Sequence, residues 1–459
     1  MKPKTNAPRQ NAERLTEMDK QFIWHPFTPM RQWLDDEPLV IEAGEGFELI
    51  DTAGRRYIDG FSSLWCNLHG HRVAEIDAAV RDQLDKIAHS TLLGHASAPS
   101  IELAERLVRI TPEPLEKVFY SDSGATAVEV ALKMAFQYHR NIGQASRKRF
   151  IALREGYHGD TIGAVSVGGI STFGRIFQPL LFEAAFVDSP NVYHHPAGES
   201  AGRAVVRQID AAISEAPNEF CAVIVEPMVQ AAGGMLTQPE GFLRGVREVT
   251  QKHDVLLICD EVATGFCRTG RGFACEHEDV APDIMCLGKG LTGGYLPVAA
   301  TMATPEIFDA FCGDIAEGRT FYHGHTYTGN ALGCAAATAS VDMIFSSDLL
   351  KRMPAKIKLI RRELSELADH PHVGDIRQAG FMVGIELVRD RDKKEPFDPN
   401  MRVGTAICRA ARSHGIITRP LGDVVVLMPA PAMDGQTLKR LLTGMVATIH
   451  EYFKTRRPV

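Results

Sequence analysis

From about Pro114 onward, short apolar runs alternate with longer segments in which apolar residues recur every three or four positions. Lys117 to Tyr120, Phe150 to Leu153, Cys221 to Val225, Val255 to Cys259 and Ile284 to Leu287 are bounded by Gly, Pro or Asp and predict buried strands. Ala125 to Tyr138 and Phe242 to His253 predict amphipathic helices between them. This alternation predicts an α/β fold on a large, mostly parallel sheet, whose sites lie at the carboxyl ends of its strands. The flanks differ. Glu42 to Asp59 alternates and contains the turn signals AGEG and DTAG, which predict a small antiparallel unit. A long helical stretch runs from Ala335 to Ala368, and VGDIRQAGFMVGIEL and GIITRPLGDVVVLMP then read as strands of a second layer. The expected organisation is a large domain at 70–345 and a smaller α+β domain assembled from 1–69 and 346–459.

Composition narrows the partners. With 50 Lys+Arg against 57 Asp+Glu, the formal charge is -7, which argues against a surface for nucleic acid. The first twenty residues are polar and lack a signal-peptide core, and no apolar run approaches the ~20 residues of a membrane helix. Nine cysteines stand singly with no CxxC pair. Reduced thiols, no membrane and a cytoplasmic location are the expectation.

The candidate chemistry gathers at strand ends. VLLICD ends on Asp260, an acid that taken alone reads as a helix N-cap. About thirty residues later, IMCL runs into Gly288-Lys289-Gly290, which frees the backbone for close approach and offers an amine nucleophile. A nucleotide phosphate loop would need Gly at the position of Asp283 and Ser or Thr at that of Gly290, so that reading fails. Ser121 to Ala125 follows a strand and opens a helix, which makes either an anion cradle or a plain cap by Ser123. Tyr157 in GYHGD follows another strand, where a ring serves as core or as a plate beside a ligand. An anion cradle, a plate, a carboxylate and an amine together suit a ligand with a phosphate, a planar ring bearing a basic nitrogen, and an aldehyde.

These residues resemble the class III, fold type I aminotransferases over nearly the whole chain, which implies pyridoxal 5'-phosphate as cofactor. The resemblance implies that Lys289 anchors the cofactor's aldehyde and that Asp260 pairs with its pyridine nitrogen. It implies that Ser123, Gly124 and Ala125 hold the phosphate, that Tyr157 and Val262 cover the two ring faces, and that Glu226 belongs to the family's EP motif. Thr326 in HGHTYTGN matches a threonine that reaches the neighbouring subunit's cofactor, which implies a homodimer with shared active sites. Within the class, WHPFTPM, DGFSSLWCNLHGH, YHGDTIGAVSVGG, DEVATGF and TRPLGD resemble the branch that transaminates 8-amino-7-oxononanoate in biotin synthesis. In that branch Trp65 and Tyr157 line the substrate channel, and Arg419 meets the substrate carboxylate with its planar fork. His325, with His323, is expected on the subunit-interface loop and near substrate.

Two positions depart from the family. GFCRTG carries Cys267 where glycine is usual, which leaves the role of Arg268 open. WHPFT carries Phe27 where part of the family has tyrosine, which leaves S-adenosylmethionine and lysine both open as amino donor. The alternatives are an ω-amine aminotransferase, an aminomutase, and a non-enzymatic binding protein. An ornithine type is disfavoured by Ala263, and the pairs His69/His71, His194/His195 and His323/His325 lack closed-site ligand spacing for a metal.

Overall fold

The computed structural model describes residues 7–345 and 348–455. Its centre is a seven-stranded sheet. The spatial order is Lys117–Ser121, Ala299–Ala303, Ile284–Leu287, Leu256–Asp260, Phe220–Val225, Arg149–Leu153 and Ala185–Val187. Ala299–Ala303 runs antiparallel to both of its neighbours, and the other pairings are parallel. Every residue of Phe220–Val225 is buried, as expected of a strand covered on both faces. Helix Gly124–Asn141 lays Ala127, Val128, Ala131 and Ala135 against Ala152, Ile224, Ile258 and Ile284 on one face. Helices Ala201–Glu215 and Phe242–Lys252 place Val205, Ile209, Leu243 and Val246 in the core on the other. Each fully buried side chain of this size contributes about 1.5–3 kcal/mol.

The predicted strands and helices of this region are all present, with one boundary shifted and two further strands, Ala185–Val187 and Ala299–Ala303, in the sheet. Val255 to Cys259 shifts by one residue to Leu256–Asp260, which makes Asp260 the last residue of its strand. Ala299–Ala303 (AATMA) was not anticipated, because a run of small apolar residues fits a helix as well as a strand. It becomes a strand by filling the slot between Ile284–Leu287 and Lys117–Ser121.

The expected hairpin unit is an antiparallel meander of Ile41–Glu45, Glu48–Asp51 and Arg56–Asp59, extended by Ile416–Ile417 in parallel with Arg56–Asp59. The two chain ends therefore share one sheet. Val373–Ala379, Met382–Leu387, Val424–Leu427 and Pro420–Leu421 form a second four-stranded sheet. The single helical stretch expected over Ala335 to Ala368 is instead two helices, Ala331–Phe345 and Leu349–Leu364, with Asp348 at the N-cap of the second.

Candidate active site

A cavity of about 720 Å³ opens where the parallel strands end, and it collects most of the strand-end residues singled out above. Trp65, Ser123, Gly124, Ala125, Tyr157, Glu226, Asp260, Val262 and Lys289 all line it. A second cavity of about 740 Å³, beside Lys133, Arg140 and Lys148, contains none of these groups.

Asp260 ends one strand, and Lys289 follows the end of its neighbour, Ile284–Leu287. Asp260 pairs with Cys286 in register, and Lys289 follows three residues later. Lys289 has a positive φ of 43°, and a side chain at Gly290 would press within 3.1 Å of Leu68 and 3.2 Å of Phe266. A Cβ at 290 would therefore be tight against these two side chains. Lys289 opens to the cavity and is otherwise enclosed. Burial lowers its pKa, against the opposing pull of the Asp260 and Glu226 charges. Its Nζ lies 4.7 Å from the ring centroid of Trp65.

Asp260 is buried, and its Oδ2 is 2.7 Å from Nδ1 of the buried His158, while Oδ1 accepts the Val262 N–H at 3.1 Å. No helix begins at Asp260, so the cap reading fails: one oxygen closes a turn, and the other is held by an imidazole. Within GYHGD, His158 carries no sequence signal that ties it to an acid 102 residues away. Both Tyr157 and His158 line the cavity, and His158 reaches Asp260 at its floor. Asp160 accepts the Tyr157 hydroxyl at 2.6 Å. Glu226 accepts the backbone N–H groups of Tyr157 and Ala231, both at 2.9 Å, and so fixes the tyrosine's backbone. Burial raises Glu226 to about 7.

The start of helix Gly124–Asn141 realises the cap reading and leaves first-turn N–H groups facing the cavity. Ser123 and Thr126 form a capping box, and the N–H groups of Gly124 and Ala125 in the first turn have no intrahelical acceptor. Close approach is built in here. A Cβ on Gly124 would fall 2.5 Å from Val262 Cγ1, and one on Gly159 would fall 2.3 Å from Ala125 Cβ.

The remaining site candidates lie outside the cavity lining. Arg419 is half-buried, and its guanidinium has no ion pair or side-chain hydrogen bond among the described residues, which removes the surface ion-pair reading. Burial lowers its pKa, and its charge couples to Tyr157. Phe27 is exposed; its ring centroid is 5.2 Å from that of Phe173, which in turn meets Tyr157 edge-on at 5.9 Å. Thr326 is exposed and does not reach this chain's cavity. His325 Nδ1 lies 3.2 Å from Asp122 Oδ2, and the segment before it is tied by Gln137 and Lys133 to helix Gly124–Asn141.

Phe266 and Cys267 have φ of 54° and 65°, so cysteine keeps the left-handed conformation that glycine adopts freely. Arg268 is enclosed without a carboxylate partner, and burial lowers its pKa to about 10. It donates to the carbonyls of Asn67 (2.7 Å), Pro429 (3.0 Å) and Trp65 (3.1 Å) and to Ser62 Oγ (3.3 Å). The histidine pairs have local partners, such as Ser340 for His69 and Glu386 for His194. No cluster of three metal-binding groups occurs among the described residues. Nor is any described helix long and apolar enough to cross a membrane.

Comparison with known proteins bears on this geometry. The family model for class-III aminotransferases matches residues 30–449. The adenosylmethionine-8-amino-7-oxononanoate aminotransferase of Nitratidesulfovibrio vulgaris is 51% identical over 447 residues, covering 96% of this chain and 82% of that protein. The protein of the same name from Geobacter sulfurreducens is 48% identical, covering 96% and 99%. The crystal structure of the Methanocaldococcus jannaschii protein of that name superposes with a TM-score of 0.91 at 44% identity, covering 96% and 99%. An omega transaminase from Pseudomonas jessenii, solved in complex with PMP, gives 0.92 at 31% identity, covering 96% and 98%. A match of this extent, on a sheet that brings a lysine, a carboxylate and a helix start to one cavity, settles the family: the chain belongs to the class-III aminotransferases, fold type I enzymes that depend on pyridoxal phosphate.

Proposed function

We propose that this protein transfers an amino group from S-adenosylmethionine to 8-amino-7-oxononanoate, as a homodimer in the cytoplasm. Six relatives carrying that activity in their names are 44–51% identical over at least 95% of this chain, and two more distant ones are 41% and 32% identical, while the omega transaminases of like fold are 30–34% identical. The observation that carries the substrate reading is Arg419, a half-buried guanidinium with no acid of its own among the described residues and with a charge felt at Tyr157. A substrate carboxylate would complete it. All nine cysteines are free, in keeping with a reducing compartment.

The residues of the cavity fit the cofactor. Pyridoxal phosphate, when bound, supplies an aldehyde that takes up the donor's nitrogen and a cationic ring that draws electrons from the neighbouring carbon. The N–H groups of Gly124 and Ala125, with Ser123 and the partner's counterpart of Thr326, would hold its phosphate. Tyr157 and Val262 would bracket the ring, and Asp260, oriented by His158, would hold the proton on its nitrogen. Glu226 would act from behind by fixing the Tyr157 backbone. Lys289 would anchor the aldehyde and, with its pKa lowered by burial, move the proton at the substrate Cα. Trp65 would wall the substrate channel, with Phe27 and His325 at its mouth.

Half-reactions followed by bleaching of the cofactor's visible band test the donor. Bleaching by S-adenosylmethionine supports the assignment, and bleaching by lysine alone, the outcome that the missing hydroxyl at Phe27 would favour, overturns it. In Arg419→Ala the KM for the oxononanoate should rise by about tenfold or more while the donor half-reaction is spared, because binding shared by ground and transition states appears in KM. An unchanged KM removes Arg419 from the site.

A further inference from the structure

We infer that Asp59 is a positioning residue that acts on the reaction through Trp65. Ser62, Ser63, Leu64 and Trp65 have φ of 54°, 48°, 73° and 70°, and none is glycine. The Trp65 and Cys66 N–H groups donate to the Phe61 and Ser62 carbonyls at 2.9 and 3.0 Å, so the segment is one turn of left-handed helix. Such a turn crowds each Cβ against the following carbonyl and persists only where its surroundings over-determine it. Two buried charges do so here. At the amino end the Asp59 carboxylate, 4% exposed, accepts the Ser63 N–H at 3.0 Å and the Ser63 hydroxyl at 2.7 Å, with His71 Nε2 at 3.1 Å. At the carboxyl end Arg268 binds the carbonyls of Trp65 and Asn67. An anion at the N–H end and a cation at the carbonyl end match the direction in which the peptide dipoles add.

The turn delivers Trp65. Its ring is buried in the cavity wall over Lys289, and its indole N–H is enclosed without a partner, turned to what the cavity would hold. Asp59 does not line the cavity, so its influence passes through the turn. This inference rests on the proposed reading of Lys289 as the reactive amine.

The test uses the full-length holoenzyme and its apoprotein. Trp24→Phe and Trp33→Phe leave Trp65 as the only one of three tryptophans. In that background Asp59→Asn should shift the emission to the red, with and without cofactor, as the ring leaves its buried seat. With the native tryptophans, Asp59→Asn should keep the cofactor's visible band and lower kcat/KM about tenfold, but cost less than about twofold in a Trp65→Phe background, the non-additivity expected of coupled residues. Leu64→Gly, at an exposed position with φ 73°, should restore most of the loss by easing the turn. Equal losses in both backgrounds, or an unchanged emission, overturn the inference. If Asp59→Asn fails to fold, Ser63→Ala removes one of the same bonds and takes its place in each comparison. Absence of a visible band in the unsubstituted holoenzyme would instead sink the reading of Lys289, so the two failures are separable.

Discussion

Asp260 and Glu261 are adjacent acids with opposite fates, because neighbouring side chains at a strand end face opposite sides. Asp260 meets His158 at the cavity. Glu261 is fully buried on the far side, where the Thr264 hydroxyl and the Cys275 N–H donate to it at 2.5 and 2.8 Å, and no cation among the described residues pairs with it. Burial raises its pKa from 4.5 to about 7. The folded protein therefore holds this proton more tightly than the unfolded chain. The stability so contributed is full below about pH 4.5 and is lost as pH rises through about 7. A glutamine can keep both contacts, with its amide nitrogen donating to Thr264 Oγ1 and its oxygen accepting from Cys275. We expect Glu261→Gln apoprotein to exceed the parent above neutral pH by on the order of 1–3 kcal/mol, and the gap to close toward pH 4.5. Denaturant unfolding of both proteins across this range checks it, and a gap independent of pH would contradict it.

At the scale of elements, the cavity depends on two segments meeting without side chains between them. The turn after Arg149–Leu153 touches the first turn of helix Gly124–Asn141 at Gly159, whose φ is +121° and whose added Cβ would lie 2.3 Å from Ala125 Cβ and 2.7 Å from its Cα. Neither atom can swing away, since both belong to the helix start. Gly159→Ala should destabilise the protein by roughly 1–3 kcal/mol and weaken cofactor retention more than a surface substitution would. Thermal melts and cofactor titration read the two effects. A melt within error of the parent would mean that the turn and the helix start can separate freely. A Cβ at Gly290, after Lys289, would be less tight, 3.1 Å from Leu68 and 3.2 Å from Phe266.

For the whole molecule, Thr326 is exposed and lies away from its own cavity, while Trp24, Leu93, Ile315 and Tyr322 expose large apolar surfaces. Exposed apolar area of this kind suits a subunit interface. If the sites are shared, Lys289→Ala and Thr326→Ala impair different subunits' contributions. A hybrid dimer then has one intact site, built from Lys289 of the Thr326→Ala chain and Thr326 of the Lys289→Ala chain. Random pairing of co-expressed variants should recover up to about a quarter of parental activity at low cofactor concentration, beyond the sum of the separate homodimers. Recovery no greater than that sum would place Thr326 outside the shared site.

Local pattern determined much of this protein. Runs such as FCAVIV can be buried on both faces only as interior strands, and their ends disclosed Asp260 and Lys289 because parallel sheets present ligands there. Glycines flanking a lysine, and a hydroxyl before a helix, carry their chemistry in residue type and spacing alone. Tertiary structure decided what depends on residues distant in the chain. AATMA became a strand because a slot between two other strands awaited it. His158 became the partner of Asp260 across 102 positions, and Arg268 became the clamp on a turn more than 200 residues away. The left-handed conformation of Ser62 to Trp65 is opposed by every local preference of its residues. Asp59 meets it from four residues before Ser63, but Arg268 arrives from more than 200 residues away, so no reading of that segment alone could disclose the turn.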